Sequence, residues 1–193
     1  MDGDRVMKDL SQDLPAGLAK LVRILLRLQT IYVCFGCIAM ALTFFFVVVF
    51  RYGFNADLFA YEEWLLIICF WLYFIAAAIG TWEGAHVNAD LLDFVILDPV
   101  KRRARAILIT AIELLVTLVL FYWSTVMMIE EIGDYPRYQT TIALQIPFFV
   151  PRAAIFFGFG LMGLYSALRF FVFLKLPATR FAVSADSDPA QGA

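Results

Sequence analysis

The residue best placed to do unusual chemistry is Glu113, the only charge in the otherwise apolar run Ala106 to Ile129. A carboxylate in hydrocarbon is costly, so it is either a coupling-ion or proton site or one half of an ion pair. Arg169 is the available partner in the same chain, and one carboxylate with no convergent cluster makes a poor transport path. The structural reading, an ion pair that fixes helix register or docks a subunit, is therefore preferred. Glu83, His86 and Asp90 recur at helical spacing and would share one face of a continued helix. One His with two carboxylates could ligate a metal, but the adjoining Leu91, Leu92, Phe94, Val95 and Ile96 point to interfacial packing, and no metal is expected. A further polar group gathers Arg51, Asn55, Asp57, Glu62 and Glu63 just before an apolar run, where the positive end of a helix dipole favours acids. Cys34 and Cys37 form a CxxC inside an apolar run without a second ligand pair, the setting of small buried hydrophobes. His86 is the only histidine, so a haem held between two histidines of this chain is excluded. No nucleophile–base pair, phosphate-cradling glycine loop or catalytic carboxylate pair appears; neither an enzyme nor a cofactor is expected.

The elements that carry these residues follow from composition. Of 193 residues, 63% are hydrophobic and 17% charged, against roughly half apolar and a quarter charged in soluble domains. A core that apolar could not be hidden behind so few charges, which excludes a soluble enzyme. A net charge of -2 excludes a nucleic-acid partner bound through its phosphates. Four runs reach spanning length: residues 28–50, 64–82, 106–129 and 148–173, the last with Pro147 and Pro151 at its start. The expected fold is an all-α membrane protein of four transmembrane helices. Twelve of the 15 Lys and Arg residues lie before the first run, between the second and third, or from the last turns of the fourth onward, where Arg169 stands. Arg51, Arg137 and Arg152 lie at the other face, so both termini are expected in the cytoplasm. Leu14, Leu18, Leu21, Val22 and Leu25 repeat at helical spacing opposite Lys20, Arg23 and Arg27, which predicts an interfacial amphipathic helix. Four aspartates before residue 14 and an overlong apolar run argue against a cleavable signal. Residues 1–27 are thus expected as a cytoplasmic segment with that helix, 28–173 as the membrane domain, and 174–193 as a disordered polar tail. Hydroxyls at Thr30, Thr43, Thr81, Thr110, Thr117, Ser124 and Ser166 are scattered over the spans without an evident polar stripe, while Gly158, Gly160, Gly163 and Ala76 to Ala78 offer close helix packing.

The order Arg51-Tyr52-x-Phe54-Asn55, Glu62-Glu63-Trp64, Trp71, then Glu83-Gly84-Ala85-His86-x-x-x-Asp90-Leu91-Leu92 resembles the small membrane (Q, DctQ-like) subunit of tripartite ATP-independent periplasmic (TRAP) transporters. Ile146-Pro147-Phe148-Phe149-Val150-Pro151 is similar to that family's entry to its fourth span. The resemblance implies a non-enzymatic scaffold in the bacterial inner membrane, in contact with lipids. It would support a large M subunit that carries out sodium-coupled uptake of an organic acid delivered by a periplasmic binding protein, P. On that reading Arg51, Asn55, Asp57, Glu62, Glu63, Glu130, Glu131 and Arg137 are candidates for docking P. Glu83, His86, Asp90, Glu113, Arg152, Arg169, Gly158 and Gly163 are candidates for subunit-interface or structural roles. The rival classes are an autonomous homo-oligomeric transporter or channel, and the membrane anchor of an oxidoreductase.

Overall fold

Apolar backbone with no water to bond it must close its hydrogen bonds within the segment, and each of the four runs does so as an α-helix. The structure, a computed structural model, describes residues 15–56, 58–84, 98–133 and 139–177. Its helices are α1 (Ala16–Gly53), α2 (Tyr61–Glu83), α3 (Pro99–Gly133) and α4 (Phe149–Lys175). All four are long and apolar enough to cross a membrane. Each extends past its apolar run, α1 most of all: its 38 residues reach about 57 Å at 1.5 Å per residue. No break separates residues 16–27 from 28–50, so the expected amphipathic segment and first span are one helix.

The ends have local causes. Phe54 and Ala56 both donate to the Phe50 carbonyl, at 3.2 and 3.1 Å, with Asn55 in the left-handed region at φ 49°. Gly84 closes α2 at φ 65°, a conformation that suits a residue without a Cβ. Asp98 starts α3 by accepting the Val100 amide at 3.0 Å, with Pro99 in the first helical position.

In space the helices are ordered α1, α2, α4, α3, with α4 between α2 and α3. Beside half-buried Leu25, Ala39 and Val49, the seam α1 presents is regular: Ala19, Val22, Leu26, Gln29, Val33, Gly36, Met40, Thr43 and Val47 are buried or half-buried. Their alternating steps of three and four are the spacing of coiled-coil packing. Bulk faces the other way, for Leu28, Ile31, Phe35, Ile38, Leu42 and Phe45 are all exposed. In water this would be inverted; in a bilayer, close packing selects small side chains and lipid takes the large ones. Leu18 and Leu21, expected on a bundle-independent apolar face, stay exposed, while Ala19 and Val22 dock against Val172, Phe173 and Tyr165. Cys34 and Cys37 also differ from expectation: both are exposed on α1, and neither is a buried hydrophobe. α4 comes close against α2 at Gly158, where a Cβ would lie 2.5 Å from the Cβ of Phe74.

Candidate functional site

Two polar assemblies stand out, one within the helix layer and one at the end where α1 stops and α2 begins. The inner assembly is centred on Arg169 of α4, which is buried. Its Nη1 lies 3.7 Å from Glu113 Oε2 on α3 and donates to the Thr81 carbonyl on α2 at 3.3 Å. Ser166 Oγ, one turn earlier on α4, donates to Glu113 Oε1 at 3.1 Å. The Arg169 guanidinium also stands 5.9 Å from the Phe173 ring centre, a cation–π contact. Three helices are therefore joined through one guanidinium. A second buried pair ties α1 to the layer, with Tyr165 Oη donating to Gln29 Oε1 at 3.0 Å.

The expected partnership of Glu113 with Arg169 is present, and it extends to Ser166 and Thr81. The hydroxyls are less scattered than their positions along the chain indicate. On α3 the buried polar residues Thr110, Thr117, Ser124 and Glu131 fall seven apart, so they share one stripe. That stripe is not a solvated path. Thr117 bonds the Glu113 carbonyl at 2.7 Å and Ser124 the Phe121 carbonyl at 2.8 Å, each satisfied within its own helix. Glu131, at the end of the stripe, pairs with Arg152 of α4. A period of seven was the available signal in the sequence; nothing there pointed to the Thr81 carbonyl or to the Gln29–Tyr165 bond.

The second assembly lies ahead of the apolar run 64–82. Glu63 directs both carboxylate oxygens at the loop between α3 and α4, accepting the Ala143 and Leu144 amides at 2.7 Å each. Hydrogen bonds from the Thr141 hydroxyl and from these amides hold its carboxyl below the usual Glu range. Trp71 Nε1, nearly three turns into α2, donates to the Val150 carbonyl at 3.1 Å and fastens the start of α4. Among the expected docking residues, Glu63 and Glu131 thus make bonds inside the chain, whereas Arg51, Asn55, Glu62 and Glu130 are exposed. Of the expected structural residues, Glu113, Arg152, Arg169 and Gly158 lie in helix contacts. Gly163 is buried with space for a methyl, since a Cβ there would be 3.8 Å from Thr117 Cγ2. Glu83 is exposed at the end of α2. Asp57, His86, Asp90 and Arg137 lie outside the described residues.

At the opposite end Arg103 Nη2 donates to the Leu174 carbonyl at 3.0 Å, placing a cation at the negative end of the α4 dipole. Two surface grooves flank α3. One, of about 450 Å³, is lined by Leu114, Leu118, Tyr122 and Phe170; the other, of about 500 Å³, by Trp71, Met128, Phe149 and Phe156. Their walls are almost wholly apolar. Among the described residues no three His, Cys, Asp or Glu side chains are grouped to hold a metal.

No curated protein and no solved structure matches the chain. Residues 40–176 match the family model of the DctQ component of tripartite ATP-independent periplasmic transporters. That stretch takes in the end of α1 and all of α2, α3 and α4. The chain belongs to the DctQ family and is a transporter component, not an enzyme.

Proposed function

We propose that this chain is the small scaffold subunit of a TRAP-type secondary transporter, supporting the large M subunit during sodium-coupled uptake of an organic acid delivered by a periplasmic binding protein. The observation that carries this reading is where the polar groups go. Thr81, Thr117, Ser166 and Arg169 are buried in helix contacts and bonded to protein, as is Gln29 through its Oε1, and the grooves are apolar. A chain with its polar groups committed in this way holds a shape and does not line a path for an anion. The extended order α1, α2, α4, α3 also suits a plate laid along a larger helical partner.

In this reading the end bearing Lys101, Arg102, Arg103 and Lys175 faces the cytoplasm of a bacterial inner membrane. Lys20, Arg23 and Arg27 hold the N-terminal part of α1 at the headgroups. The Glu63 end then faces outward, where exposed Arg51, Asn55, Glu62 and Glu130 form the charged part of the docking surface. Charges at such a rim chiefly set encounter rate and register. Reconstituted vesicles test the proposal: substrate uptake should require this chain, M, the binding protein and a sodium gradient together. Reversing Glu62 and Glu130 to Lys should slow uptake while the membrane complex stays intact. Uptake that is unchanged when this chain is omitted would refute the scaffold role.

A further inference from the structure

The loop between α3 and α4 is bonded more heavily than a connector requires. Phe148 N donates to Gln139 O at 2.9 Å, Thr141 N to Ile146 O at 3.0 Å, and Ile146 N to Thr141 Oγ1 at 3.0 Å. Thr140 and Pro147 form an antiparallel bridge. Gln145 takes the left-handed conformation at φ 54°, turning the chain back. From outside the loop, Glu63 accepts the Ala143 and Leu144 amides. The side chain held at the tip of this frame is Ile142, which is 95% exposed, more than any other large apolar residue among those described.

An isoleucine in that position adds nothing to the packing of its own chain, and the clamp beneath it keeps it from folding back. We propose that Ile142 is an apolar docking knob for the soluble binding protein, and that Glu63 is the clamp which presents it and not a docking charge. The inference rests on the proposed function, which supplies the partner. It separates two roles at one spot: Glu62 and Glu130 steer, and Ile142 inserts.

Two features favour a protein pocket over the bilayer as the knob's destination. The ionised Glu63 carboxylate lies directly behind Ala143 and Leu144, so sinking the tip into hydrocarbon would draw a charge and backbone polar groups away from water. A protein pocket needs to take only the side chain. Rigidity points the same way: a preformed loop avoids the ordering cost of binding a shaped partner, whereas a fluid bilayer accepts a mobile anchor equally well.

The test uses the membrane complex of this chain with M in nanodiscs and measures association with the binding protein by surface plasmon resonance. Ile142→Ser should weaken association about 10- to 100-fold, the value of burying one such side chain. Its exposure means that folding should be unaffected. Glu63→Gln should weaken association without changing its salt dependence, whereas Glu62→Lys should change the salt dependence. Binding by wild type that is unaltered by Ile142→Ser overturns this inference alone. Quenching by brominated lipid of the emission that Ile142→Trp adds over wild type, whose own four tryptophans set the baseline, would also overturn it, in favour of a bilayer anchor. Absence of binding by wild type overturns the proposed function and this inference with it.

Discussion

Gly158→Ala should separate α2 from α4. The added Cβ would sit 2.5 Å from Phe74 Cβ, 2.8 Å from its Cδ1 and 3.0 Å from its Cγ. A comfortable carbon–carbon contact is about 3.5 Å or more, so the helices must part by roughly 1 Å. The ring atoms could swing aside, but Phe74 Cβ is fixed to the α2 backbone. A gap of that size forfeits about half of each contact across it. Some 20 atom pairs at ~0.15 kcal/mol each then lose about 1.5 kcal/mol, and residual strain of the usual overpacking size raises the cost to about 2–3 kcal/mol. Phe74 also stacks edge-on against Phe159, with ring centres 5.4 Å apart, so the disturbance reaches the neighbouring residue of α4. Reversible unfolding in mixed micelles, titrated with SDS and followed by circular dichroism, measures it. Gly163→Ala is the internal control: its Cβ would meet Thr117 Cγ2 at an ordinary 3.8 Å, and the change should stay within about 0.5 kcal/mol. A second substitution sharpens the test. In the Gly158→Ala background Phe74→Gly should relieve the clash, whereas Phe74→Ala retains the offending Cβ and should not. Equal effects of Gly158→Ala and Gly163→Ala, or equal rescue by Phe74→Ala and Phe74→Gly, would refute the reasoning.

Glu113→Gln and Arg169→Met should each destabilise the chain by about 2–4 kcal/mol, because a charge is left in a buried site. The double variant should recover most of that loss in the same SDS titration, and a Glu113→Gln complex that assembles and docks its binding protein normally should still transport. Loss of transport in that intact complex would make Glu113 a coupling site. The Glu63 carboxyl is held below its ordinary value, so its bonds to the loop contribute fully above the usual Glu range and are lost as pH falls through the lowered value. A spin label at Ala143 should therefore stay immobile at neutral pH and loosen only below the pH at which an ordinary Glu titrates, while Glu63→Gln should loosen it at neutral pH as well. Trp71→Phe removes the bond to the Val150 carbonyl and should cost roughly 0.6–1.5 kcal/mol of unfolding stability.

The membrane class, the four helices and the Glu113–Arg169 partnership were legible in the sequence, because each follows from how few charges the apolar runs contain. Helix ends were legible where chemistry marks them, as at Pro147 and Pro151. They were less so at α1, where an amphipathic pattern and an apolar run join without a breaker between them, so the boundary placed at Arg27 has no counterpart in the backbone. The packed face of α1 was concealed by a habit carried over from soluble proteins. Leucine spacing marks a core in water, but in lipid Ala19, Gly36 and Thr43 pack while Leu28 and Phe35 do not. Glu63 was legible as an acid at a helix start. Its actual partners, two amides about 80 positions away in sequence, depend on how α2 and α4 pack and have no local signal. The same holds for the Thr81 carbonyl, which any residue at that position would supply.

The central claim, that this chain is a supporting plate for a larger transporter and carries no substrate path of its own, is tested most directly by purifying it tagged from its native membrane and weighing the complex by native mass spectrometry. The account predicts one copy in stoichiometric association with a large polytopic subunit, and no organic-acid flux from vesicles that contain this chain alone. A self-assembled oligomer that conducts such flux without any other subunit would contradict it.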